Sequence, residues 1–164
     1  MKKLLLFGIF AFVTTLTVSA QVKFDLKATN VYKYIGKVDR AGFEEIIGEP
    51  VNVRTENGVD FYVYNVYSMI GNNNYGSQAI TCLYRNDGKL AQLWFTHSYP
   101  DMFRIDFPEV PGYDKNKTEQ RRNSAGVVTY LKYYARGMSM TINEYRQYSG
   151  IWHGKIQYGI IVQQ

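Results

Sequence analysis

The residues best equipped for chemistry are few. The chain holds one cysteine, Cys82, and two histidines, His97 and His153. A thiol beside an imidazole is the smallest set that makes a nucleophile with its base. A catalytic thiol also needs an electropositive, partly open setting. The pattern around Cys82 argues against one, because Ile80, Cys82 and Tyr84 alternate with Thr81 and Leu83. That spacing puts the thiol on an apolar strand face, so Cys82 is expected to be a buried core residue. Asp101, Asp106 and Glu109 near His97 form a loose acidic group that could serve a hydrolase or an oxygen-rich metal site. Loop polarity accounts for them equally well. Two distant histidines and one cysteine make no short-spaced metal set. The chain has no Gly-x-Ser-x-Gly elbow, no phosphate-binding Gly-rich loop and no His-Glu-x-x-His. The expectation is therefore a protein without catalytic residues, metal or cofactor.

Recognition chemistry is better supplied. Aromatic residues make up 16% of the chain, with 15 Tyr. Tyr145, Arg146, Tyr148, Trp152 and His153 crowd one expected hairpin connection between Asn143 and Lys155. These residue types dominate binding hot spots. Tyr75, at the tip of the Asn-rich loop 71–76, is a second candidate. The competing role for Trp152 is to close one end of the core.

These side chains need strands to position them. Residues 60–70, about 78–85 and 89–97 carry β-branched and aromatic residues, and the turn Asn86-Asp87-Gly88 joins the last two. If Asp87-Gly88 is the loop, Tyr84 faces Ala91, Cys82 faces Leu93 and Ile80 faces Phe95. Arg85–Leu90, Leu83–Gln92 and Thr81–Trp94 then share a mixed face. A second hairpin across Arg136-Gly137 pairs Ile142 with Leu131, Met140 with Tyr133 and Met138 with Ala135. Its polar side pairs Tyr130 with Asn143, Lys132 with Thr141 and Tyr134 with Ser139. A last strand carries Ile156, Tyr158, Ile160 and Val162 in phase. Shorter strands are expected near 31–35, 51–54 and 102–107. The polar run 114–123 is expected to be a solvated loop or loose helix. One helix stands out over residues 39–47: Asp39 caps it, Ala41, Phe43, Ile46 and Ile47 form its apolar stripe, and Gly48 and Pro50 end it. The fold class is thus α+β, one short helix packed on an antiparallel sheet of about six or seven strands.

The first twenty residues have their own pattern. Lys2 and Lys3 precede the apolar run 4–13, and Val18-Ser19-Ala20 gives a small-residue exit. This is the form of a cleavable secretory signal. A spanning helix needs roughly 20 apolar residues, so no stable membrane anchor is expected after cleavage. The expected organisation is a signal over residues 1–20 and one domain over 21–164, exported to a bacterial periplasm or beyond. Removing 20 of 164 residues leaves 144, enough for one core. The net charge of +5 falls to about +3 without Lys2 and Lys3, which gives little footing for nucleic acid.

The segment Ile35-Gly36-Lys37-Val38-Asp39, continuing through Phe43-Glu44-Glu45-Ile46-Ile47-Gly48-Glu49-Pro50, leads into aromatic-rich strands and an Asn-Asp-Gly-Lys-Leu hairpin. It resembles the small exported modules of the SmpA/OmlA and beta-lactamase-inhibitor-protein-like group, over roughly residues 35–95. That resemblance implies a helical element on an antiparallel sheet and a role in binding rather than catalysis. It carries over no functional residues. The lipid-anchoring Cys of the assembly lipoproteins is absent here, and the second half lacks the motif. The functional expectation is an exported binding module that contacts a protein or envelope component. It would use aromatic loops or the mixed face of Trp94 and Leu90. The alternatives are a small-ligand or glycan binder using the same aromatics, and a hydrolase using His97, Asp101 and Asp106.

Overall fold

The computed structural model describes residues 22–71, 74–148 and 151–161, with the side chains of 144–148 and 151–152 outside that description. The proposed signal and Val162 lie outside the described residues. Eight strands form one antiparallel sheet: β1 Asn52–Glu56, β2 Val59–Gly71, β3 Asn74–Tyr84, β4 Leu90–His97, β5 Glu119–Arg122, β6 Val128–Ala135, β7 Met138–Tyr148 and β8 Ile151–Ile160. Their order is β1-β2-β3-β4-β8-β7-β6-β5. Two four-strand meanders thus run inward from opposite edges and meet where β4 pairs with β8. The sheet is α+β in class as expected, but the strand count is eight rather than six or seven.

Among the described residues, three short helices lie with the sheet rather than one: α1 Ala28–Val31, α2 Arg40–Ile47 and α3 Asp101–Asp106. Helix α2 follows the expected signals. Asp39 accepts a hydrogen bond from the Gly42 amide at 2.9 Å, and the Gly48 amide returns to Glu44 O at 2.8 Å. Phe43 and Ile47, one turn apart, are buried, while Ala41 stays exposed. Glu44 is half-buried. It turns toward the sheet and accepts from the Tyr64 hydroxyl at 3.1 Å.

The other helices replace expected strands. The strand anticipated at 31–35 is instead α1 and the turns that follow it. Its neighbour Lys27 gives no side-chain cap. The Asp106 carboxylate, far along the chain, accepts from the Thr29 amide at 3.2 Å and its hydroxyl at 3.3 Å. The strand anticipated at 102–107 is α3 and a 3-10 turn, Phe107–Glu109. Phe103, Ile105 and Phe107 alternate like a strand, but burial follows the helical period. Phe103 and Phe107 are buried and Ile105 is 74% exposed. The run 114–123 is not simply loop. A 3-10 turn over Lys115–Lys117 leads into β5, an edge strand exposed along its whole length.

The hairpins test register. Across β6 and β7 all six expected pairs are observed, from Tyr130↔Asn143 to Ala135↔Met138. Across β3 and β4, Thr81↔Trp94, Cys82↔Leu93 and Leu83↔Gln92 hold, but Tyr84 pairs with Leu90 through a register shift. The turn is wider than two residues, with Arg85 N donating to Lys89 O at 2.8 Å. Ala91 is the extra residue, and Leu90 rotates into the core instead of onto the mixed face. The core joins Phe24, Leu26 and the helices to Tyr64, Val66, Ile80, Cys82, Leu93, Phe95, Met140, Ile142, Ile156 and Tyr158. Helices and core therefore occupy one side of the sheet. No described helix is long and apolar enough to cross a membrane.

Candidate functional site: the second face of the sheet

Strand residues alternate between faces, so a sheet covered by helices on one side presents its other residues on the opposite side. The register makes that second face explicit. One row runs Asn52, Val63, Thr81, Trp94, Gln157, Thr141, Lys132 and Glu119, crossing all eight strands. A neighbouring row runs Thr96, Lys155, Asn143, Tyr130 and Arg121. The next on the other side runs Leu83, Gln92, Gly159, Ser139 and Tyr134. None of the side chains in these three rows is fully buried.

Aromatic and cationic groups hold one another on this face. Phe61 meets Trp94 edge-on at 5.7 Å, and Lys155 Nζ lies 5.8 Å from the Trp94 ring. Arg121 sits 4.9 Å over Tyr130, and Lys132 sits 4.8 Å over Tyr134. Tyr134 donates to the Glu119 carboxylate, and Gln157 donates to Gln92 at 3.1 Å. Asn143 Oδ1 is buried without a hydrogen-bond partner among the described residues. A ring whose edge is packed and whose face meets a cation can take a further planar or anionic group with little loss of side-chain freedom. That is the chemistry of recognition by a preorganised surface.

The sequence pattern sets Trp94 on a mixed face and Tyr130, Lys132 and Tyr134 on the polar side of the second hairpin, but it does not join them with Phe61 and Lys155 into one surface. The polar sides of the hairpins were visible in the alternation. Only the β4–β8 pairing, between residues some sixty apart, joins them into one face.

The proposed binding loops are differently built. The strands of the expected 143–155 connection continue nearly to its end. Arg146 pairs with His153, Gln147 with Trp152 and Tyr148 with Ile151, after a shift between Asn143 and Arg146. Tyr145, Arg146, Tyr148 and Trp152 are thus strand positions in a hairpin arm, their side chains outside the described part. His153 Nδ1 is 3.5 Å from Ser98 Oγ. Tyr75 is likewise a strand residue, opposite Met69 and stacked on Tyr67 at 6.0 Å. Antiparallel order places the β2–β3 and β7–β8 tips at the same end of the sheet. Tyr75 lines a cleft of about 450 Å³ with Lys23, Phe24, Asn30, Tyr34 and Met69, where Lys23 Nζ lies 4.2 Å from the Tyr75 ring.

Of the groups considered for chemistry, His97, Asp101 and Asp106 have structural partners, while Glu109 is exposed. Cys82 is buried, and burial pushes its thiol well above its ordinary pKa. His97 is buried with both ring nitrogens engaged. Nδ1 accepts from the Tyr99 amide at 3.0 Å, which leaves Nε2–H to donate to Met69 O at 3.2 Å. Burial lowers its pKa, against the pull of the Met69 carbonyl. Asp106 holds Thr29, and Asp101 pairs with Arg104 at 3.6 Å. Among the described residues no three metal-ligating side chains gather. Comparison with known protein families, curated proteins and solved structures finds no match to this chain.

Proposed function

We propose that this chain is an exported, non-enzymatic binding module that contacts another protein or an envelope component through the second face of its sheet. One observation carries the reading. The helices and the core occupy one side, while the other presents Phe61, Trp94, Tyr130 and Tyr134 partly exposed and interleaved with Lys132, Lys155 and Arg121. Aromatic and arginine anchors on a rigid strand scaffold are what a protein interface uses for affinity. The signal-like first twenty residues support export, and the resemblance of residues 35–95 to small exported binding modules points the same way. The groups that could have served a hydrolase are engaged with backbone, Thr29 or Arg104, so this reading assigns them no catalytic part.

In-cell crosslinking followed by pull-down tests it, with Trp94→Ala and Trp152→Ala compared against the unaltered chain. Loss of a specific partner on Trp94→Ala is the expected result. A partner list unchanged by Trp94→Ala would sink the sheet-face reading, and a loss confined to Trp152→Ala would move the interface to the β7–β8 arm. A second reading, a small-ligand or glycan binder, is favoured by the Tyr75 cleft alone. Its volume falls in the range of small-molecule sites.

A further inference from the structure

At the end of the sheet away from Tyr75 lies a second cleft, of about 520 Å³. The α1–α2 connection supplies Tyr32, Ile35 and Lys37. The β3–β4 turn supplies Arg85, the β6–β7 turn Arg136, and the end of β8 Ile160 and Ile161. Every charged residue lining it is cationic. Lys37 Nζ donates to Tyr32 O at 2.7 Å and sits 3.8 Å from the Tyr32 ring. Arg85 pairs with one carboxylate among the described residues, Asp87, at 3.0 Å. Arg136 is exposed and makes no ion pair among the described residues.

The walls are fixed by backbone rather than by the cations. Gly36 N donates to Leu90 O at 2.7 Å, Arg85 N to Lys89 O at 2.8 Å, Arg136 N to Pro111 O at 3.3 Å and Ile161 N to Gly137 O at 3.1 Å. Gly36 has a φ of +72°, and a Cβ there would stand 3.1 Å from Ile160. A glycine at that point lets the α1–α2 connection run close against β8. Four segments distant in sequence thus line one cleft with Lys37, Arg85 and Arg136 beside Ile35, Ile160 and Ile161. The backbone that carries these like charges is held by hydrogen bonds in which no charged group takes part.

We propose that this cleft binds a phosphate monoester carried on a small apolar or aromatic group. Guanidinium forks match phosphate oxygens bidentately, and an ammonium adds a point charge for the second negative charge. The isoleucines and the Tyr32 ring would take the organic portion. The site is separate from the sheet face and does not depend on it.

The probe is phenyl phosphate, titrated into the isotopically labelled chain and followed by amide chemical shifts, with inorganic phosphate alongside. Saturable shifts at Gly36, Arg85, Gly137 and Ile161 are expected, with inorganic phosphate weaker because it lacks the apolar part. The double variant Arg85→Gln/Arg136→Gln should bind phenyl phosphate at least about tenfold more weakly, since each lost charged hydrogen bond is worth more than that factor. Both arginines are exposed, and an unchanged melting temperature checks that the variant is folded. If it is not, the shift map of the unaltered chain decides by itself. Flotation with phosphatidylcholine vesicles, with and without phosphatidic acid, whose headgroup is itself a phosphate monoester, separates the sources. Capture by the anionic vesicles that the double variant loses assigns a lipid headgroup, and phenyl phosphate binding without capture assigns a soluble ligand. Absence of saturable phenyl phosphate shifts, shifts elsewhere, or equal affinity in the double variant would overturn the proposal.

Discussion

The two halves of the sheet share a plan and differ in what covers them. Each is a four-strand antiparallel meander, β1 to β4 and β5 to β8, preceded by helical segments. The first half has α1 and the well-capped, eight-residue α2. The second has the six-residue α3 running directly into a 3-10 turn. Local capping builds α2: Asp39 and Gly48 close its ends from within their own segment. Helix α1 is completed across the molecule, by the carboxylate of Asp106 at the end of α3. Tyr158 of β8 adds another crossing, its hydroxyl donating to Leu26 O at 2.8 Å in the core. The halves thus repeat an arrangement of strands without being separately completed. The helical layer of the first half is finished by Asp106 and Tyr158 of the second.

The strongest way to break that comparison is to cavitate each half in turn. Phe43 on α2 and Phe107 after α3 are both fully buried. Replacing either with Ala should cost about 3–5 kcal/mol, from lost transfer energy and the cavity left behind. Because the core is shared, both variants should shift one common unfolding transition, seen alike by Trp fluorescence and far-UV circular dichroism. Two separable transitions, each moved by only one of the substitutions, would show that the halves fold independently.

A smaller effect sharpens the contrast between local and crossing caps. Asp39→Ala removes an N-cap within its own exposed segment and should cost about 1 kcal/mol. Asp106→Ala leaves the Thr29 amide and hydroxyl without their acceptor in a half-buried site, at about 1–3 kcal/mol. Denaturant unfolding should therefore rank Asp106→Ala below Asp39→Ala in stability. Hydrogen exchange near Thr29 should accelerate in the first variant and not in the second. The reverse ranking would mean that the crossing contact is incidental.

This asymmetry also explains what the sequence disclosed. Helix α2, the β6–β7 register and the burial of Cys82 were legible because cap, period and turn lie within a few residues of one another. Helix α1 was not, since its cap comes from Asp106. Helix α3 was hidden by Phe103, Ile105 and Phe107, whose alternation mimics a strand until burial separates Ile105 from the other two. A single wider turn displaced Leu90 from the expected mixed face into the core. The candidate surface was half legible. Its residues could be read as the polar sides of hairpins, but their assembly depends on β4 meeting β8, which no local pattern announces.

The gentlest probe is pH, acting where the halves touch. His97 closes β4 opposite Gly154 of β8, beneath the Phe103 ring at 4.9 Å and beside Tyr99. Burial, the larger cause, holds its pKa below the usual 6.5, and the nearby charge of His153 pushes the same way. The unfolded chain therefore takes up a proton near pH 6.5 while the folded chain does not. Stability tied to this group is full above about pH 6.5 and falls as pH drops from there toward the folded pKa, by no more than about 1.4 kcal/mol per pH unit. Protonation is also opposed locally, because Nδ1 already accepts the Tyr99 amide. In His97→Gln that part of the slope between pH 7 and 5 should vanish, while His153→Gln should keep most of it. Urea melts at half-unit pH steps read the difference directly, and an unchanged slope in His97→Gln would show that the β4–β8 joint does not sense protonation through this ring.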